Sequence, residues 1–427
     1  MAVAALCINV CAATAAQAVP LAAVAQDQCT ASTRIDQPVA ALDLMQSGLA
    51  WGITRGEGVT VAVVDSGVNV KNPHLARAVS GGINLVGDGT DASGFTDSYG
   101  HGTAIAGQIA ARETDGSGVV GLAPETRILS VRVFAGTGSN QVDAGYGPSA
   151  ERLAEGIRWA ADHGAQIINV SMSTTVDEPS LHAAVTYAQG VGSLVVASSG
   201  NRDSTLAVEE DDADGSRYPA ADPAVLGVAA TDEDGIVTEE SIHGSHVAVS
   251  ALGQNVLTTS AAGGDCVYAS DAPATSFATG YVSAAAALVA AAHPDETPQQ
   301  WAYRLKATAV RPIADQRNDS SGWGVVQPYE AIALIPGAGI EGPSSPFGDA
   351  VTDEDLGASV EPVRIVNEEQ PDAEALRIGG VISVGALVLL AIAGALGVFL
   401  VRYRARVNPA TRREGRGLYN DGAPPRT

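Results

Sequence analysis

Short apolar runs alternate with helical patterns along the middle of this chain. The runs are rich in β-branched residues and predict strands at 59–64, 128–134, 167–171, 193–197 and 225–229. Helical patterns lie between them, for example at 149–163 and 179–189. Strands that are apolar on both faces indicate a parallel sheet covered by helices on each side. The pattern therefore predicts an α/β domain built on a mostly parallel central sheet.

The N-terminal stretch is apolar and small over residues 2–25. It ends in Ala23-Val24-Ala25, which fits a signal-peptidase site, and Ala16-Gln17-Ala18 is a second candidate. No Lys or Arg occurs before Arg34, so the usual basic n-region is missing. We expect a signal peptide over residues 1–25 and a short N-terminal extension over residues 26–50.

A second apolar stretch lies near the other end, where residues 378–401 carry no charge. About 20 apolar residues suffice to cross a bilayer as one helix. Arginines follow at once, at 402, 404, 406, 412, 413 and 416. The positive-inside rule then predicts a transmembrane helix over 377–401, a basic cytoplasmic tail over 402–427, and an extracytoplasmic domain over 51–336. Residues 337–376, which contain scattered prolines and acidic groups, are expected to form an acidic linker.

The charge and the cysteines add two constraints. The formal net charge is −24. The tail holds seven Arg, one Glu and one Asp, a net of +5, so the remainder carries −29. Such an acidic domain repels nucleic acid and excludes it as a partner.

Outside the signal region only Cys29 and Cys266 remain, which leaves either one disulfide or two free thiols.

Three motifs carry candidate chemistry. The first is the strand VAVVD at 61–65, which ends in Asp65 and is followed by Ser66-Gly67. The carboxyl ends of strands in an open α/β sheet face the active-site crevice, so a carboxylate there can hold an imidazole. The second is GHGTAIAG at 100–107, where His101 opens a helix of small residues.

The third motif is ATSFATG at 274–280, where Ser276 begins a long Ala-rich helix. The unpaired N–H groups and the positive dipole end of a helix N-terminus suit a nucleophile whose attack creates an oxyanion. Each motif alone has an ordinary structural reading, such as a Ser N-cap.

Together the motifs, in the chain order Asp, His, Ser, resemble the subtilase family of serine peptidases over residues 56–335. Smaller matches lie between them in order, including GIRWA at 156–160, INVSMS at 168–173, SSGN at 198–201 and YPAA at 218–221. The resemblance implies a subtilisin-like three-layer fold and serine endopeptidase activity on polypeptides. It implies a catalytic triad of Asp65, His101 and Ser276, with Asn201 in the oxyanion hole.

The resemblance also implies where the substrate binds and which subtilases are most similar. An extended peptide would pair with residues 136–139 and 171–173, so the implied substrate-binding residues are Gly136, Thr137, Gly138, Ser171, Met172 and Ser173. A signal sequence, a subtilase domain and a C-terminal helix with a basic tail resemble the mycosins, the membrane-anchored peptidases of type VII secretion. In that family the short extension wraps the domain without blocking it, and here Cys29 can tether it.

Two positions depart from the family pattern. Ala274 replaces the usual Gly two residues before the nucleophile, and it would be strained if the backbone there required a positive φ. Gly280 replaces the usual Pro four residues after it, which loosens the helix. No cofactor is expected. The acidic loop at 209–214 resembles a calcium loop only loosely, and we interpret it as solvated.

Three functions stay open at this point. The first is an endopeptidase that processes secreted proteins at the outer membrane face, in contact with membrane components of a secretion complex. The second is a structural subunit of that complex with dispensable protease activity, and the third is a housekeeping surface protease.

Overall fold

The computed structural model describes residues 29–202, 213–337, 340–347, 396–400 and 402. The predicted signal peptide, most of the linker, most of the predicted transmembrane segment and the predicted tail beyond residue 402 therefore lie outside the described residues. The chain divides into two compact units between Asp355 and Leu356. In the second unit the described residues 396–400 are helical.

The first unit contains a seven-stranded parallel sheet in the order β2-β3-β1-β4-β5-β6-β7. Its strands are β1 (Thr60–Asp65), β2 (Val79–Asn84), β3 (Arg127–Arg132), β4 (Ile167–Val170), β5 (Leu194–Ser198), β6 (Val225–Thr231) and β7 (Val249–Leu252). A separate antiparallel hairpin is formed by β8 (Val256–Thr259) and β9 (Asp265–Tyr268). The sheet confirms the α/β prediction.

The described helices of this unit cover both faces of the sheet and its flanks. They are α1 (Ala40–Leu44), α2 (Ser47–Ala50), α3 (His101–Ala110), α4 (Ser139–Asp143), α5 (Ala150–Asp162), α6 (Pro179–Gly190), α7 (Thr275–Ala292), α8 (Pro298–Ala307) and α9 (Pro328–Ala333). The predicted strand and helix boundaries agree with these to within a few residues. The weakly apolar β2, the short β7 and the hairpin were not predicted.

The side chains of β1 show why three layers form. Val61 and Val63 belong to one buried cluster, which also contains apolar residues of α3 and α7. Ala62 and Val64 belong to a second cluster, with residues of α5 and α6. Because successive side chains of a strand point to opposite faces, an unbroken apolar run requires helices on both sides.

Among the described residues, one helix is long and apolar enough to cross a membrane. It is α7, and 89% of its apolar window is buried inside the domain. It is therefore the central core helix. Most of the predicted span over 377–401 falls outside the residues on which this observation rests.

The N-terminal extension is tied to the domain through β9. A disulfide joins Cys29 to Cys266, with their Cα atoms 5.5 Å apart. Next to it, the Asp265 side chain accepts from the Ile35 N–H at 2.8 Å, and the Asp265 N–H donates to the Thr33 carbonyl. The Gly118 N–H donates to the Ile35 carbonyl at 2.7 Å. The extension thus packs along the domain with backbone bonds and one covalent link.

Asp265 also has a buried partner beneath the extension. Its carboxylate lies 3.1 Å from His74 Nε2, and both side chains are fully buried. His74 Nδ1 lies 2.6 Å from the Arg112 carbonyl oxygen. Burial raises the pKa of Asp265, but the bonds from His74 and the Ile35 N–H outweigh it, and the pKa ends below its ordinary value.

We expect Gly118→Ala to loosen the extension. A Cβ at this position would lie 2.0 Å from the Gln37 carbonyl oxygen, so the backbone of the extension must shift. Overpacking of this kind costs about 1–3 kcal/mol, measurable as a lower free energy of unfolding in urea. Gly48→Ala, where no atom lies within 4 Å of the new Cβ, is the matched control. Equal stability of both variants would contradict the packing described here.

Candidate active site

Two elements bring a carboxylate and an imidazole together at the carboxyl edge of the sheet. The interior strand β1 ends at Asp65, which is fully buried. Helix α3 begins at His101, and its N-cap Gly100 has φ +97°, a conformation that favours glycine. Gly102 allows the close approach, since a Cβ there would lie 2.3 Å from the Gly67 carbonyl oxygen.

The three predicted residues form one hydrogen-bonded array. His101 Nδ1 lies 2.9 and 3.0 Å from the two Asp65 carboxylate oxygens. His101 Nε2 lies 3.0 Å from Ser276 Oγ. Because the carboxylate only accepts, Nδ1 carries the ring proton, and Nε2 is left to accept from the Ser276 hydroxyl. This is the arrangement that a general base and its nucleophile require.

The electrostatics of His101 favour its protonated form. Burial lowers its pKa, but the charge of Asp65 and the hydrogen bond to it raise the pKa, and Asp97 adds a smaller effect of the same sign. The net result lies above the ordinary 6.5. The imidazolium formed when His101 takes a proton is therefore stabilised.

Ser276 and Asn201 lie at the start of α7. Ser276 is the second residue of this helix, where a backbone N–H has no acceptor within the helix. The Thr275 N–H donates to Asn201 Oδ1 at 2.9 Å. Since only the amide oxygen can accept, this bond fixes the orientation of the amide and leaves Asn201 Nδ2 as a donor. The Ser198 and Thr275 hydroxyls, 2.6 Å apart, connect the Asn201 segment to the helix.

The first predicted substrate-binding segment, residues 136–138, lies in a loop that leads into a helix. Residues 136–138 form a loop, and Gly138 is the N-cap of α4. Ser139 opens that helix, so the extended part of this segment ends at Gly138. Among these residues Gly136 is buried, Thr137 half-buried and Gly138 exposed.

The second segment lies beneath the nucleophile. Ser171, Met172 and Ser173 are all buried. The Ser171 hydroxyl donates to the Ser276 carbonyl oxygen at 3.0 Å, and Asn169 donates to Ser171 in turn. The Ser171 side chain therefore supports the start of α7, a role that the sequence pattern did not reveal.

Tyr99 is a neighbour of the site that the sequence analysis did not select. Its ring lies 6.5 Å from the His101 ring and 5.5 Å from the Phe134 ring. The Thr137 hydroxyl donates to its phenolic oxygen at 3.3 Å. The sequence signal for this neighbour was an aromatic residue two positions before the histidine. Its side chain is 37% exposed and forms a wall between the histidine and the 136–138 loop.

No group of three His, Cys, Asp or Glu side chains within the described ranges is arranged to hold a metal ion. Most of the acidic loop at 209–214 lies outside those ranges. Its described member Asp214 accepts from Arg202 and from the His243 N–H. The Asp214 carboxylate is therefore hydrogen-bonded to donors of the protein itself.

A comparison with family models identifies the family to which this fold belongs. The model of the subtilase family, peptidase S8, matches residues 56–324. The chain belongs to the subtilase family. This subtilase is 37% identical to thermitase of Thermoactinomyces vulgaris over 247 residues, which cover 58% of the chain and 80% of thermitase. It is 32% identical to mycosin-3 of Mycobacterium tuberculosis over 324 residues, which cover 66% of the chain and 69% of mycosin-3.

Solved structures agree with this assignment. The crystal structure of MycP1 from Mycobacterium smegmatis matches with a TM-score of 0.60 at 30% identity, covering 73% of this chain and 89% of that one. The structure of MycP3 protease from the type VII (ESX-3) secretion system matches with a TM-score of 0.62 at 29% identity, covering 72% and 91%. The resemblance to subtilases and mycosins, the subtilisin-like fold and the serine peptidase class are thus confirmed.

The two departures from the family pattern have different consequences in this subtilase. Ala274 has φ −122° and ψ 127°, an extended conformation that any residue adopts. The expected strain is therefore absent. Gly280 lies against Gln108, since a Cβ there would be 2.7 Å from Gln108 Oε1. Gln108 is buried, and its Nε2 donates to the Phe277 carbonyl at 3.0 Å.

We expect Gly280 and Gln108 to be energetically coupled. Gly280→Ala alone should lower the free energy of unfolding by about 1–3 kcal/mol through the clash. In a Gln108→Ala background the same change should raise it by up to about 1 kcal/mol, because alanine favours the helix. Urea unfolding of the four members of this double-mutant cycle measures the coupling. An equal effect of Gly280→Ala in both backgrounds would contradict it.

Proposed function

We propose that this subtilase is a membrane-anchored endopeptidase of the mycosin type, with Asp65, His101 and Ser276 as its catalytic residues. The observation that carries the proposal is the hydrogen-bonded array from Asp65 through His101 to Ser276. Its polypeptide substrates would be secreted proteins, cleaved on the outer face of the membrane.

The chemistry follows from the geometry of that array. Ser276 Oγ attacks the scissile carbonyl carbon while its proton passes to His101 Nε2. The carbonyl oxygen becomes an oxyanion, for which Asn201 Nδ2 and the Ser276 backbone N–H are the donors. Asp65 holds the imidazole ring and stabilises its positive charge.

The intermediate then collapses in two stages. The C–N bond breaks as His101 returns the proton to the leaving amine, and an acyl-enzyme remains on Ser276. A water molecule, deprotonated by the same imidazole, attacks the acyl carbon and releases the new carboxylate. The substrate backbone would lie between the 136–138 loop and residues 171–173.

Membrane anchoring and a role in secretion have separate support. Residues 378–401 are uncharged and are followed by a cluster of arginines. The matching MycP3 structure is described as a component of a type VII secretion system. A serine protease MycP1, similarly matched, is described as an essential component of such a system.

A fluorophosphonate probe tests the catalytic assignment. Its phosphorus is attacked by an activated serine, and fluoride leaves, so labelling reports the nucleophile without any knowledge of the substrate. We expect the wild-type chain to be labelled and Ser276→Ala to lose labelling. Ser180→Ala, which changes an exposed serine of α6, is the control and should still be labelled. Absence of wild-type labelling, or equal labelling of Ser276→Ala, would overturn the assignment.

Membrane anchoring requires its own test. We expect the full chain to remain in the membrane fraction after a carbonate wash, and a chain ending at residue 376 to be released. Replacement of residues 378–401 by an unrelated transmembrane helix should restore retention. Release of the full chain by carbonate would refute the anchor, whatever the probe result.

A further inference from the structure

A buried carboxylate that the mechanism does not use lies beside the array. Asp97, in the loop before α3, accepts four hydrogen bonds. Its Oδ1 accepts from Ser66 Oγ at 2.9 Å and from the Gly100 N–H at 2.7 Å. Its Oδ2 accepts from the Thr103 N–H at 2.9 Å and from Thr103 Oγ1 at 2.6 Å. The donors belong to Ser66, which follows Asp65, and to Gly100 and Thr103, which lie at the start of α3.

The donors around Asp97 favour its ionised form. Ser66 Oγ accepts from the Gly102 N–H at 3.0 Å, so its own proton points to Asp97. Thr103 Oγ1 accepts from the Asn69 N–H at 3.0 Å, so its proton also points to Asp97. Burial raises the pKa of Asp97 above its ordinary value, while the bonds from its four N–H and O–H donors act in the opposite direction. These charge-assisted bonds favour the ionised carboxylate.

These bonds connect the two elements that carry the base and its orienting partner. Ser66 follows Asp65 directly, and its N–H donates to Asp65 Oδ1 at 2.7 Å. Gly100 precedes His101, and Thr103 lies in the same helical turn. A shift of Asp97 would therefore move the end of β1 and the start of α3 relative to each other. Errors of about 1 Å in such positions lower turnover by about 10²-fold.

We propose that Asp97 is a positioning residue, which clamps Ser66 to the first turn of α3 and adds a second negative charge to the surroundings of His101. The inference rests on the proposed catalytic role of the array. Asp97 touches neither the reacting atoms nor the imidazole, and acts through the backbone on each side and through its field.

The groups around His101 determine how the charge of Asp97 affects the pKa of the imidazole. Asp65 faces its Nδ1 from β1, Ser276 faces its Nε2 from α7, and the Tyr99 and Phe277 rings flank it. Tyr268 of β9 lies against Phe277, and burial raises its pKa to about 12, so it stays neutral. The negative charges near His101 in the described part of the domain are then Asp65 and Asp97, and both raise the pKa of the imidazole.

The test is the rate of fluorophosphonate labelling of Ser276 as a function of pH. Labelling requires neutral His101, so the rate rises as pH passes upward through the imidazole pKa. Asp97→Asn removes a nearby negative charge, which lowers that pKa. We expect its acid limb to move to lower pH and its plateau rate to fall by about 10–10²-fold. Thermal unfolding of each variant is measured in parallel.

A matched control separates this role from a purely structural one. Asp222 is also a buried carboxylate, and it accepts from the Ala224 N–H and bonds His182. Asp222→Asn makes the same chemical change there and should leave the acid limb of the wild type in place. If Asp97→Asn is folded and its acid limb coincides with that of the wild type, the inference is wrong.

A second variant keeps the test decisive if Asp97→Asn does not fold. Ser66→Ala removes one arm of the clamp and leaves the Asp97 charge in place. It should lower the plateau rate without moving the acid limb, and a wild-type plateau rate in the folded variant would overturn the clamp. Failure of the wild type itself to label would instead defeat the proposed function, so the two failures are distinguishable.

Discussion

The structure depends on one constraint, the burial of a carboxylate at the end of an otherwise largely apolar strand. Asp65 is fully buried at the end of β1, an interior strand of the sheet. An isolated buried charge is very unfavourable, so the fold must supply donors to it. His101 Nδ1 and the Ser66 N–H are those donors. The need to stabilise Asp65 therefore places the imidazole where the nucleophile can use it.

Small residues make this convergence sterically possible. Gly102 lets α3 approach the end of β1, and Gly107 lets the same helix approach the hairpin, where a Cβ would lie 2.2 Å from Thr259 Oγ1. Gly280 serves the same purpose between α7 and Gln108. Close packing of this kind transmits small shifts directly to the site. The glycine departure in the nucleophile motif thus leaves room for the buried side chain of Gln108.

A disulfide and hydrogen bonds hold the N-terminal extension to the domain at the same part of β9. A disulfide at Cys266 and a buried carboxylate at Asp265 act on adjacent residues of β9. The disulfide links residues 237 positions apart, while Asp265 binds both the extension and His74. The contacts of the extension described here run to β9 and to the loop at Gly118, and not to the array at Asp65, His101 and Ser276. This packing is compatible with an extension that leaves the active site open.

The sequence by itself determined the class of fold and selected the candidate reacting groups. Unbroken apolar strands require a covered parallel sheet, and the motifs around Asp65, His101 and Ser276 have local signatures, namely a strand end, a glycine-flanked helix start and an Ala-rich helix. Only the tertiary structure decided what depends on contacts between distant segments. The pairing of Cys29, the bond that orients Asn201, the turn of Ser139 into α4 and the clamp at Asp97 have no periodic or local signal. Each depends on atoms brought within about 3 Å by packing, and hydrogen bonding at that range is a property of three-dimensional placement rather than of residue order.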